Sequence, residues 1–98
     1  MKHVGNRDTN EPEIVAEFER LGFYVIRMPR DAGFDLLVMG EGMKIIVEVK
    51  NPETSWMWTK AEDELAKILN RKKIDYWTIE YKEEIPEVLG YERRNVEV

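Results

Sequence analysis

The chain has 98 residues, no cysteine, a single histidine and a net charge of −5. This excludes a disulfide scaffold, thiolate metal sites, a His-rich zinc site and a Ser-His-Asp triad, and leaves oxygen as the only ligand type for a metal. Its length allows one domain burying about 60–65% of its unfolded surface, and a hydrophobic content of 43% with three tryptophans argues for a folded globule.

Residues 1–10 are polar and aperiodic, and read as a flexible arm that leaves 11–98 as a single domain. Asn10 before Glu11-Pro12-Glu13 has the pattern of a helix start, with a capping amide, an early proline and acids at the positive helix end. Ile14, Val15, Phe18 and Leu21 recur at helical spacing and Gly22 ends the run, which predicts a helix over 12–21. Residues 23–28 (FYVIRM) are aromatic and β-branched and predict a strand that Pro29 terminates. A loop through Gly33 leads to a second strand at 35–39, and Gly40-Glu41-Gly42 reads as a hairpin turn.

The third strand, 44–50, alternates with a period of two. It sends Ile45, Val47 and Val49 to one face and Lys44, Ile46, Glu48 and Lys50 to the other. After a loop containing Trp56, Met57 and Trp58, Thr59 to Glu62 fits a capping box. The helix it opens carries Ala61, Leu65, Ile68 and Leu69 as its apolar stripe. Residues 74–81 predict a fourth strand, a short helix follows near 85–89, and the end is a charged tail, so the core spans 11–81. A helix between strands three and four acts as a crossover, which lets strand four join the sheet in parallel. No apolar run approaches the length of a membrane span, and the N-terminus lacks a signal peptide's apolar core, so a cytoplasmic protein is expected.

Asp35, Glu48 and Lys50 form the constellation that carries chemistry. If the hairpin closes, Asp35 and Glu48 lie on adjacent strands, and Lys50 follows Glu48 on the same face, about 6–7 Å along. Two carboxylates with open water positions suit magnesium, with manganese as a substitute, and such an ion serves phosphodiester hydrolysis by activating a water and offsetting phosphate charge. Lys50 would orient the attacking water and stabilise the phosphorane-like charge, and the backbone carbonyl of Val49 is a further ligand candidate. A half-polar edge strand also shows Glu-x-Lys as a solvated pair, so the competing reading is a structural one. Charges at the end of the apolar run IIVEV favour a cleft.

The stretches RLGFYVIRM, GFDLLVMG and IIVEVKNP, followed by a helix entered at Thr59, resemble the PD-(D/E)XK nuclease superfamily. Within it they are most like the small stand-alone VRR-Nuc domains, with archaeal-type Holliday junction resolvases as neighbours. The resemblance covers about residues 10 to 81. It implies an α/β restriction-endonuclease-like core in the order α-β-β-β-α-β, with a mixed sheet flanked by helices. It places Asp35 at the family's aspartate and Glu48 and Lys50 at its E-x-K pair. Phe34 stands where the family usually has proline, and Glu62 where VRR-Nuc domains usually carry glutamine. Glu13 falls where these nucleases keep a first-helix glutamate that reaches the metal, and Glu17, one turn on, is its alternative. Arg27, Arg30 and Lys60 are candidates for phosphate contacts. The implied activity is that of a magnesium-dependent endonuclease, cutting branched DNA such as four-way junctions as a homodimer. The acidic net charge keeps a second expectation open, a module that binds nucleic acid or a protein partner without cutting.

Overall fold

The sheet is organised by β3, Met43–Val49, which pairs antiparallel with β2, Leu36–Gly40, and parallel with β4, Asp75–Ile79. The strand β1, Tyr24–Arg27, closes the other side, so the four run in the order β1-β2-β3-β4. The computed structural model describes residues 9–53 and 59–90. The arm through residue 8, the loop with Trp56, Met57 and Trp58, and the charged tail from residue 91 lie outside the described residues.

Glu41 and Gly42 make the β2–β3 turn with φ of 51 and 78. Both values are positive, as a two-residue type I′ turn requires, and its twist matches that of the flanking strands. The parallel partner β4 is reached through the helix α2, Lys60–Arg71, as a crossover demands. The predicted element order is the one observed, with the last short helix, α3, at Ile85–Leu89. Two 3-10 turns, Arg30–Ala32 and Lys82–Glu84, were not foreseen, and β1 is shorter than predicted because Phe23 and Met28 fall outside it.

One sheet face is dry. The first helix, α1, Glu11–Arg20, lays Ile14, Val15 and Phe18 against Leu36, Val38, Ile45, Val47, Val49 and Ile79, and α3 adds Ile85, Val88 and Leu89. Each large aliphatic or aromatic side chain so buried contributes roughly 1.5–3 kcal/mol. The Phe23 ring meets Phe18 edge to face, centroids 6.3 Å apart, and lies directly over Gly40.

Asn10 does not cap α1, contrary to the sequence expectation. Its own backbone is helical (φ −85, ψ −7), and its side chain makes no capping bond. Instead its Nδ2 donates to the carbonyls of Lys50, at 3.0 Å, and Glu80, at 2.7 Å. The amide therefore satisfies carbonyls at the ends of two parallel strands and pins the start of α1 beside them.

The other face is covered more thinly. Thr59 caps α2 through the expected box with Glu62. The predicted stripe needs correction, because Ala61 and Ile68 are exposed and only Leu69 is fully buried. Glu62, Leu65, Ala66 and Leu69, at spacings of three and four, are the face less exposed to solvent. Beside it a cavity of about 290 Å³ opens between α2 and β4, lined by Ala66, Asn70, Ile74, Asp75, Tyr76 and Trp77. Among the described residues no helix is long and apolar enough to cross a membrane.

Candidate active site

Gly33 takes φ 95 at the end of the Arg30–Ala32 turn, and that left-handed residue delivers Asp35 to the head of β2. Asp35 is held from three sides. Its carbonyl accepts from the Met28 N–H at 2.9 Å and its N–H donates to the Val47 carbonyl at 3.1 Å. Its Oδ2 accepts from the Val49 N–H at 2.7 Å. The Val47 bond is one residue short of the ladder in which Leu36 faces Val47, a bulge-like step that re-aims the aspartate.

Leu36 and Val38 are buried on the α1 side, so alternation puts Asp35 on the α2 side with Glu48 and Lys50. There the Lys50 Nζ lies 3.0 and 3.1 Å from the two carboxylate oxygens of Glu62 and 3.6 Å from Glu48 Oε2. The Lys50 N–H donates across to Ile79. In an alternating ladder the Val49 carbonyl then points the opposite way, toward the β2 side that holds Asp35.

Burial dominates the electrostatics. Glu48 is only 8% exposed, and burial, the nearby Asp35 and the hydrogen bond and charge of Glu62 push its carboxyl up to about 9, with Lys50 offsetting part of the rise. Burial also works on Glu62, but the Thr59 N–H, Glu48 and Lys50 outweigh it and hold that carboxyl below its ordinary value. The Tyr76 phenol is raised by burial first and then by Glu48, Glu62 and Asp35, so it too faces the carboxylates.

The other expected residues fall elsewhere. Glu13 is exposed on the first turn of α1. Glu17 is held by Arg20 at 2.6 and 3.0 Å. The buried carboxylate of α1 is Glu11, 1% exposed, whose Oε2 lies 3.4 Å from the Arg27 Nε. Glu11 precedes Ile14, Val15 and Phe18 by three, four and seven residues, so the helical period that identified the core face also points to it. That face is the α1 side of the sheet, whereas Asp35, Glu48, Lys50 and Glu62 gather on the α2 side. Lys60 is exposed at the first residue of α2, and Arg30 opens the Arg30–Ala32 turn. Sequence reasoning missed Tyr76 and Thr78. The signal was the parity of β4, which in parallel register sets Tyr76 and Thr78 beside Ile46 and Glu48.

The donor set fits a hard divalent cation. Among the described residues no three His, Cys, Asp or Glu side chains converge to hold an ion. Magnesium, however, keeps several waters and needs only one or two carboxylates. Asp35 and Glu48 supply two, all nearby donors are oxygen, and a cation there would offset both the burial that raises the Glu48 carboxyl and, secondarily, the charges of Asp35 and Glu62 beside it.

No model of a known protein family matches the chain, and no curated protein matches it. A solved structure described as a VRR_NUC domain superposes with a TM-score of 0.63 at 20% sequence identity, covering 83% of this chain and 95% of that one. The chain therefore has the restriction-endonuclease-like fold of a VRR_NUC domain: a four-stranded mixed sheet with helices on both faces.

Proposed function

We propose that this chain is a divalent-metal-dependent endonuclease that hydrolyses DNA phosphodiester bonds, working as a homodimer on branched DNA such as four-way junctions. The observation that carries the reading is the meeting of Asp35 and Glu48 on adjacent strands, with Lys50 on the same face, in a fold shared with a VRR_NUC domain. Asp35, Glu48 and the Val49 carbonyl would hold magnesium, or manganese in its place. The bound cation supplies charge neutralisation at the phosphate and lowers the pKa of a water. Lys50 orients the attacking water and stabilises negative charge on the phosphate oxygens, and Glu62 holds the ammonium in place. Lys60, exposed at the start of α2, would meet a flanking phosphate. A homodimer provides two equivalent sites for opposed strands, and recognition of DNA shape needs no base-reading helix.

The test is cleavage of four-way, flapped and linear duplex DNA with magnesium, with and without chelator. Cutting that favours the junction supports the reading, and a wild type that never cuts any of the three would sink it. The net charge of −5 favours a second reading, a module that binds without cutting. Binding of junction DNA with no cleavage under any metal would establish it.

A further inference from the structure

Asp35, Glu48 and Thr78 form a polar row across three neighbouring strands. Glu48 stands directly opposite Thr78 in the β3–β4 ladder, and Asp35 lies one step beyond the Leu36–Val47 pair. Neighbouring strands lie about 4.8 Å apart, and residues in register send their side chains to the same face. The Thr78 and Glu48 side chains are thus cross-strand neighbours on the side covered by α2, and the Thr78 hydroxyl is the polar group there that has yet to be explained. It is buried, and among the described residues it has no hydrogen-bond partner. A buried hydroxyl without a partner carries an unrecovered desolvation cost, and valine would fill the same space in a strand without it.

We infer that Thr78 is a positioning residue of the proposed reaction, its hydroxyl donating to the Glu48 carboxylate and fixing the direction in which that carboxylate faces. The inference rests on the nuclease reading for its kinetic consequence, and on the ladder register and burial for its geometry. A turn of the Thr78 side chain about χ1, met by rotation of the Glu48 side chain, brings the hydroxyl to the carboxylate opposite it without any movement of the strand.

Thr78→Val keeps the shape and removes the donor. It is expected to lower kcat on the preferred DNA by about tenfold, the usual effect of losing a group that orients a ligand. KM stays within about twofold and the melting temperature is unchanged or higher. Thr78→Ser restores kcat. If Thr78→Val left kcat unchanged while the wild type cuts, the inference would be overturned. A second readout needs no cleavage. The carboxyl ¹³C resonance of Glu48, identified through Glu48→Gln, is expected to move in Thr78→Val and to return in Thr78→Ser. An unmoved resonance overturns the Thr78–Glu48 bond whether or not the protein cuts, whereas a wild type that never cuts overturns only the nuclease reading.

Discussion

The two faces of the sheet are made by the same strands and behave as different materials. Ile45, Val47 and Val49 of β3 are buried against α1 and α3, all at 0–1% exposure. Glu48 and Lys50, one residue out of phase, meet Asp35, Glu62, Tyr76 and Thr78 on the α2 side. The dry face buries apolar area and has no titratable group on β3 to neutralise. The α2 face buries charge, which costs free energy unless it is paired. A strand with period two therefore separates stability from chemistry at single-residue resolution, and substitutions along β3 should alternate in their effect.

That alternation predicts the largest effects. If the proposed reaction holds, Asp35→Ala, Glu48→Ala and Lys50→Ala should each reduce cleavage by about 100-fold or more, since each removes a proposed metal ligand or the proposed charge at the phosphate. The fold should survive, as judged by circular dichroism. Ile45→Ala and Val47→Ala should do the reverse, with Ile45→Ala costing about 2–5 kcal/mol in denaturant unfolding and leaving kcat of the folded fraction near wild type. Cleavage that fell equally along the whole strand would erase the distinction between the faces.

The next effect is a pH dependence confined to the α2 face. Glu48 has its carboxyl raised from 4.5 to about 9, so between those values the folded chain holds a proton that the unfolded chain has released. Stability falls as pH rises wherever the folded state binds more protons. The melting temperature should thus decline from about pH 5 to about pH 9, and Glu48→Gln should remove that part of the slope. Magnesium should raise the melting temperature most at the alkaline end, where it binds the ionised carboxylate and stabilises the folded state by mass action. Parallel pH profiles for wild type and Glu48→Gln would place the retained proton on another group.

The dry face was largely legible in the sequence, and the α2 face only in part. Ile14, Val15 and Phe18 announce α1 through their period, and alternation in residues 44–50 assigns every side chain of β3 to its face. Glu62 was visible as a capping residue, but its grip on Lys50 was not, because that contact depends on how the crossover helix docks. Asn10 shows the opposite failure. Its local pattern reads as a cap, yet carbonyls 40 and 70 residues away claim its amide. Glu13 was chosen by its place in a family pattern, where phase would have selected Glu11, which shares the buried stripe. Local chemistry is written in the sequence, whereas competition for one side chain between local and distant partners is settled only by the fold.

Volume is the remaining test of the dry face. A Cβ added at Gly40 would lie 2.7 Å from the Phe23 Cδ2, closer than such atoms approach. Phe23 is 4% exposed and packed in the core, so it has little room to withdraw. Gly40→Ala should cost about 1–3 kcal/mol by overpacking, read from chemical unfolding. Phe23→Leu in the same chain should recover part of that loss, and no recovery would mean that the strain lies in the backbone instead.

The smallest effect belongs to the hairpin tip, which serves neither face and so acts as a control for both. Glu41 holds φ 51 in the first position of the I′ turn, a left-handed conformation that is unfavourable for a glutamate. Asparagine tolerates that region, and Asn-Gly is the preferred pair for this turn. Glu41→Asn should therefore add about 0.5–1 kcal/mol and raise the melting temperature by roughly 2–6 °C for a domain of this size. It should leave manganese affinity and cleavage unchanged, because the turn lies at the far end of β3 from Glu48 and Lys50. A stabilised variant with altered cleavage would show that the strand transmits strain from its turn to its site. The two faces would then be coupled through β3, and the alternation along it would no longer separate stability from chemistry.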